Sequence, residues 1–400
     1  MATVNEDLLD ALVRHQIYLL RFSASLRNKI IKLLNATEDD LEAEIRRRMA
    51  RSAEGATSAN LKRAELLVAS IRKLRLRAWN QVTEEWVKEL TDLAKQEPVF
   101  LSGLYKTLAP VTLDLLLPTA ETLAALVRTR PFEGRVLRDW AKSVAAADLQ
   151  RIEDQIKIGL IQGQTPAELA RRVVGTGVLG GADGATAVAR RNAEAITRTA
   201  VNALSNAAKR EFYNANATLF DEELYVATLD ERTTTVCASN DGERFPVGKG
   251  PIPPLHFNCR SLRVAIFNGQ VLGQRPMKTI TERETVREYQ RANGLTVTGK
   301  RSDLPRGHKG TFDDYARRRI REMTGQTPAS TSYQEFLTRQ SRSFQDDVLG
   351  PTRARLFRTG RLDLKKFVNR NGDELTLAEL ARRHADVFRQ AGLDPEDFLG

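Results

Sequence analysis

The chain's two cysteines, Cys237 and Cys259, bracket one of its four histidines, His256. Thiolate and imidazole are donors that zinc prefers, so these residues form a candidate metal site, with water, Asp230 or Asp241 as a fourth donor. Three protein ligands and one open position are also the arrangement associated with catalysis. The competing reading makes the same residues a fold lock, with the cysteines as small buried side chains and His256 bonded to a loop carbonyl. A Cys237 to Cys259 disulfide is disfavoured in reducing cytosol. Nucleophilic chemistry by Cys237 and His256 needs a third group to orient the base, and the sequence assigns none.

Positive charge is the second chemical resource. The 400 residues carry 62 Lys+Arg and 51 Asp+Glu, a net charge of +11, and the excess sits in one place: Arg260 to Arg370 holds 24 basic and 11 acidic residues. Arg317, Arg318, Arg319, Arg321, Arg353, Arg355, Arg358, Arg361, Lys365 and Lys366 are its densest part. Such clusters can neutralise phosphates and bind DNA without reading bases. Solvated helix faces, or contacts with acidic protein surfaces, are the alternatives. Tyr315, Phe336, Phe344 and Phe357 have the spacing of core residues rather than of base-stacking platforms. The glycines from Gly175 to Gly184 lack the Gly-Lys-Ser/Thr ending of a phosphate-binding loop, and we read them as a flexible connector.

The elements that must hold these residues are mostly helices. Leu8, Leu9, Leu12, Leu19, Leu20, Leu26, Ile30, Ile31 and Leu34 make an apolar stripe along a first long helix. Thr37 is a candidate cap for the next. Leu61 to Leu93 supplies another, which Pro98 is expected to end. The Pro131-Phe132-Glu133-Gly134 break suggests a boundary near 130. Thr165, Pro166 and Glu168 form a helix start with a capping box. An alanine-rich helix then runs from about Thr186 to Leu219. Leu224 to Thr228 reads as a strand, Asp241-Gly242 as a tight turn before Phe245-Pro246-Val247, and Leu262 to Phe267 as another strand. Val226, Phe245, Val247, Leu262 and Val264 are expected to pack around the histidine and cysteines. Turn formers from Gly294 to Gly310 suggest a mobile linker. Leu115 to Leu117 and Val264 to Phe267 are far shorter than the roughly 20 apolar residues a membrane helix needs, and no early apolar run resembles a secretory signal.

The order of residues in the second half is specific. Arg198-Thr199-Ala200-Val201-Asn202, then Thr228-Leu229-Asp230-Glu231-Arg232-Thr233, Cys237, Asp241-Gly242, and Pro253-Pro254-Leu255-His256-Phe257-Asn258-Cys259-Arg260 follow one another. This succession resembles the phage Mu F-like head morphogenesis family, which supplies minor capsid proteins of tailed bacteriophages. The resemblance covers about 130 to 270, with Asp230, Arg232, Thr233, Asp241, Gly242, Pro254, Asn258 and Arg260 as motif residues. A second likeness, through Tyr333 to Leu337, Gln340, Phe344-Gln345 and Leu349 to Arg353, is to a tail shared by some of these proteins. Many relatives carry a Cys-Pro-x-Cys pair before the Asp-Gly turn. Here Thr234 and Thr235 stand where the first Cys and Pro would fall, so the ligand set that the family implies for zinc is incomplete.

The resemblance implies a structural protein rather than an enzyme: a low-copy component inside the virion capsid, assembled in the host cytoplasm, meeting the portal protein or inner capsid. Nonspecific contact with packaged double-stranded DNA is compatible with that role. A metal-dependent nuclease or other nucleic-acid enzyme built around His256, or a DNA-binding protein dominated by its basic tail, are the alternatives. A nuclease should gather several carboxylates and a base in one cleft, and only Asp230 and Asp241 stand near His256, both in ordinary turn roles. The expected fold is mainly α with a small α+β module. It divides into a helical arm or bundle over 1–130, offering its apolar stripe as anchor to the portal or capsid, and a Mu F-like domain over 131–270 ending in a β-containing knot. A basic flexible linker over 271–310 and a basic helical tail over 311–400 follow. No stoichiometric zinc or other cofactor is expected.

Overall fold

The computed structural model describes residues 4–49, 58–108, 113–220, 222–266 and 274–399. It is mainly helical, with two small antiparallel sheets. Phe267 and residues 271–273, which belong to the expected strand end and linker, lie outside the described residues, as does the side chain of Leu9.

The scaffold is a set of long helices: α1 (Val4–Asn35), α2 (Glu38–Met49), α3 (Ser58–Leu108), α4 (Ala120–Thr129), α5 (Leu137–Ile161), α6 (Pro166–Val174) and α7 (Thr186–Ala215). The central one is α7, which packs on both α1 and α3. Buried Ala189, Ala193, Ala200, Ala203, Ala207 and Ala208 let its backbone come close to the aromatic wall of Trp79 and Trp86. One cluster unites Leu19, Leu26 and Ile30 of α1, residues 79–94 of α3, α4, Phe132, α5 and α7. The core therefore crosses residue 130, and the Pro131 to Gly134 break is a turn between packed helices rather than a domain boundary. The α1 stripe faces inward: Leu8, Leu12, Leu19, Leu26, Ile30 and Leu34 are all at most 2% exposed. Most of it is consumed by the chain's own core; Leu20, 46% exposed, lies off the buried face.

Three further local expectations are corrected. Helix α3 runs through Pro98. Proline forfeits one amide donor there, but Leu93, Ala94, Leu101 and Tyr105 on either side are buried, and that packing outweighs the lost bond. The Thr37 hydroxyl donates to the Leu34 carbonyl and accepts from Arg75, so it ties two helices rather than capping α2. The glycine run is packed: a Cβ on Gly184 would stand 2.4 Å from the Val174 carbonyl carbon, so only glycine fits. The start of α6 is as expected, with Thr165 and Glu168 forming a reciprocal capping box and Pro166 in the first turn.

After α7 come β1 (Glu222–Val226), α8 (Thr235–Asn240), β2 (Arg244–Pro246) and β3 (Leu262–Ile266), in sheet order β2-β1-β3. Strand period two splits the apolar residues between two faces. Leu224, Val226, Leu262 and Val264 pack with Phe212, Tyr213, Tyr105 and α1 residues Leu8 and Leu12. Tyr225 and Ala227 face the cysteines, joined by Phe245 and Leu255. Of the five apolar residues expected around the cysteines, only Phe245 packs there.

The described part of the expected linker, 274–310, is folded. It contains β4 (Gln274–Lys278) and α9 (Glu282–Ala292), followed by α10 (Lys309–Glu322) and β5 (Thr324–Pro328), which pairs with β4. Val286, Tyr289, Leu304 and Phe312 form a small core beneath. The chain ends in short helices α11 (Tyr333–Thr338), α12 (Arg342–Leu349), α13 (Pro351–Arg358), α14 (Leu377–Arg383) and α15 (Ala385–Gln390), whose aromatic core reaches Leu229 and Ala238 of the knot. No helix among the described residues is long and apolar enough to cross a membrane.

Candidate functional site

Cys237, His256 and Cys259 converge. Cys237 Sγ lies 3.2 Å from His256 Nε2 and 3.6 Å from Cys259 Sγ, and both thiols are free and buried. Helix α8 fixes Cys237, because Thr234 caps the helix by accepting from the Cys237 amide. The loop before β3 fixes the other two. His256 Nδ1 donates to the Phe257 carbonyl at 2.8 Å, which turns Nε2 toward the sulfur. Asn258 sits in the left-handed region at φ 60°, and its amide donates to Thr199 Oγ1 on α7 at 3.1 Å. The sequence did not point to Tyr225, whose hydroxyl donates to Cys237 Sγ at 3.2 Å.

These contacts concentrate negative charge on one sulfur. Hydrogen bonding from Cys259 first, then from His256, holds the Cys237 thiol down at about 4 against its burial. Cys259 keeps its proton, pushed up by Cys237 and by burial. Burial lowers the His256 imidazole, but bonding to the Cys237 thiolate outweighs that and raises it. The result is a contact between a thiol whose pKa is lowered and an imidazole whose pKa is raised, each favouring the charged form of the other. Cys237 is only 1% exposed, and its sulfur is in contact with Tyr225, His256 and Cys259.

Among the described residues this is the one group of three His, Cys, Asp or Glu donors close enough to share an ion, all within 4.8 Å of one another. It is one donor short of a closed tetrahedral zinc site. Neither Asp230 nor Asp241 is available to complete it. Arg260 binds Asp230 through both guanidinium nitrogens, at 2.5 and 2.7 Å, and holds its carboxyl below the usual range against burial. Asp241 is engaged by Arg275 at 3.0 and 3.1 Å and by the amides of Ala227 and Tyr333, each at 2.7 Å. The donor set does not fit the closed zinc knot that the family resemblance implies.

The remaining motif residues build the knot. Thr233 donates to the Thr228 carbonyl, Gly242 takes the φ of 82° that the Asp-Gly turn requires, and Pro254 follows a cis peptide bond. No sequence signal singles out Arg275, and Tyr333 stands only in the second likeness, without a role; its hydroxyl donates to the Asp230 carbonyl, and both residues come from the C-terminal region and clamp it onto the knot. Arg232 is exposed, with no side-chain partner among the described residues.

The basic tract is not gathered into the site, and most of it is paired within the chain. Arg317 bonds Asp314, Arg318 lies 4.0 Å from Glu322, and Arg319 bonds both Glu288 and Glu322. Arg353 meets Glu374, Arg358 meets Asp346, and Lys365 meets Glu243. Arg355 donates to the Gly392 carbonyl and Arg321 to that of Arg317. Lys366 is exposed.

Residues 150–264 match the family of Phage Mu protein F like proteins. The match takes in α7 and the knot as far as Val264, including Cys237, His256 and Cys259. No curated protein and no solved structure matches the chain.

Proposed function

We propose, on the premise that residues 150–264 are a Mu protein F-like domain, that the chain is a structural minor head protein of a tailed bacteriophage, working inside the capsid near the portal. The family suggests a phage head morphogenesis protein; the position near the portal and the absence of catalysis are our reading. The observation that carries it is where the motif's polar groups go. Asp230, Asp241, Thr199 and Arg260 are spent on bonds that hold α7, the knot and the C-terminal helices together. An active centre would instead aim such groups at an accessible point. The carboxylates that a nuclease would need for metal binding are already neutralised by arginines.

Contact with the portal or inner capsid is not assigned to the α1 stripe, since that face is buried within the chain. Nonspecific DNA contact is a secondary role in this reading, because ion pairing lowers the free cation density that phosphate binding draws on. Mass spectrometry of purified particles tests the assignment. The protein should be present at a few copies per particle and protected from external protease until the head is opened. Its absence from particles, with the free protein abundant in the lysate, would sink the reading.

A further inference from the structure

A half-enclosed cleft of about 510 Å³ lies between α1, α7 and the 256–260 loop. Arg198, Arg232 and Arg260 line it, and no carboxylate does. Two of these charges are partly answered nearby: Asp230 holds Arg260, and Arg198 shares Glu194 with Arg27. Arg232 has no such partner among the described residues.

The α1 wall adds two buried polar groups without partners. Gln16 is 9% exposed and Ser23 5%, and neither Gln16 Oε1 nor Ser23 Oγ makes a hydrogen bond. The Gln16 amide nitrogen is already committed to the Arg260 carbonyl at 3.3 Å, which leaves its oxygen as an acceptor awaiting an N–H. A buried polar atom left unmatched costs about 1–3 kcal/mol, so a ligand that brings the missing donor gains what the empty cleft lacks. The rim is apolar: Leu20 is 46% exposed and Phe257 36%.

We propose that this cleft receives an extended segment of a partner protein that carries a carboxylate beside an apolar side chain. The carboxylate meets Arg232, a backbone N–H meets Gln16 Oε1, and the apolar side chain lies between Leu20 and Phe257. A phosphodiester backbone suits the cleft less well, because it offers acceptors only and would leave Gln16 Oε1 unmatched. The proposal rests on the assembly reading, in which the partner belongs to the portal or capsid, and it names the recognition chemistry of that contact.

The test uses the purified full chain in solution, so its outcome is independent of whether the protein is found in particles. Fluorescence anisotropy is measured with two pools of labelled pentapeptides, amidated at the C-terminus, in which a central Asp or a central Asn is flanked by mixed Leu, Ile and Phe. A labelled decathymidylate is the third probe. The Asp pool should bind about tenfold more tightly than the Asn pool, and Arg232→Glu should abolish that difference. Leu20→Ala should weaken both pools. Both positions are exposed, so circular dichroism of the variants should match the parent. Equal binding or no binding by the two pools overturns the proposal, as does Asp-pool binding that Arg232→Glu leaves intact. Decathymidylate binding that is tighter than the Asp pool and lost in Arg232→Glu would reassign the cleft to nucleic acid.

Discussion

Replacing Asp241 by Ala should detach the C-terminal region from the knot while leaving the helical scaffold folded. The Asp241 side chain is fully buried and its partner Arg275 is 5% exposed. Removing the carboxylate strands the Arg275 guanidinium, which retains only the carbonyls of Ala227 and Thr331, and orphans the amides of Ala227 and Tyr333. Breaking a buried ion pair from one side costs about 3–5 kcal/mol, and each orphaned amide adds to that. An opening free energy lowered by about 3–5 kcal/mol corresponds to between about two and four orders of magnitude in the opening equilibrium. Hydrogen exchange followed by mass spectrometry reads this directly. Peptides containing Ala227 and Tyr333 should exchange faster by that factor, while peptides from Val82 to Leu93 and from Ile196 to Ala208 keep their protection. Asp241→Asn retains one acceptor oxygen and should fall in between. If peptides around Tyr333 exchange at the parent rate in Asp241→Ala, the carboxylate is not what holds the two regions together and the reasoning fails.

Three further expectations concern the core and the cysteine cluster. Leu19→Asp should unfold the scaffold, since it forfeits about 1.5–3 kcal/mol of burial and also buries a charge, whereas Leu20→Asp on the exposed face should leave the circular dichroism melt nearly unchanged; an equally tolerated Leu19→Asp would contradict the inward-facing stripe. Glu97, 1% exposed, accepts from Ser205 and meets His15 and Lys209; burial pushes its carboxyl up, but Lys209 and His15 bring it below its ordinary value of 4.5. Its stabilisation is therefore complete above pH 4.5 and lost as pH falls through the lower folded value, so the urea midpoints of the parent and Glu97→Gln should differ at pH 7 and converge as pH is lowered below 4.5; a gap independent of pH would refute the assignment. Elemental analysis should find zinc well below one per chain, with melting insensitive to chelator; one tightly held zinc that is lost in Cys259→Ser would show that a fourth donor exists.

Signals confined to a few neighbouring residues were legible in the sequence. The capping box at Thr165 and Glu168, the Asp241-Gly242 turn, the strand periodicity around β1 and β3, and the alanine stripe of α7 each follow from local backbone chemistry. The family match agrees with the motif succession from Arg198 to Arg260. What the sequence hid depends on partners far along the chain. Strand β4 reads Gln-Arg-Pro-Met-Lys, with poor strand propensity, and exists because β5 lies across from it. Arg319 looked like a phosphate-binding charge, but its carboxylate partner is Glu288 on α9. The direction in which Val226 and Leu262 point was decided by Phe212 and Tyr213 on the other face of the sheet, which no local pattern encodes. The cleft was invisible for the same reason: Gln16 and Asn258 are brought together only by the closed fold.

The burial of the α1 stripe bears on the order of events during synthesis. Helix α1 leaves the ribosome well before α7 and the knot, yet Leu8 and Leu12 share a core with Phe212, Tyr213 and the strand residues Val264 to Ile266. These partners are made about 200 residues later or more, and although α3 contributes to both clusters, Leu19, Leu26 and Ile30 likewise wait for α7 to complete theirs. Until then the nascent chain presents an incompletely covered apolar helix face, the condition under which chaperones bind and in which neighbouring chains on a polysome can associate wrongly. Completion of the core is thus gated by the appearance of α7 and the knot, and a ribosome stalled before them would release a chain in which α1 has α3 on one side and an open apolar flank on the other.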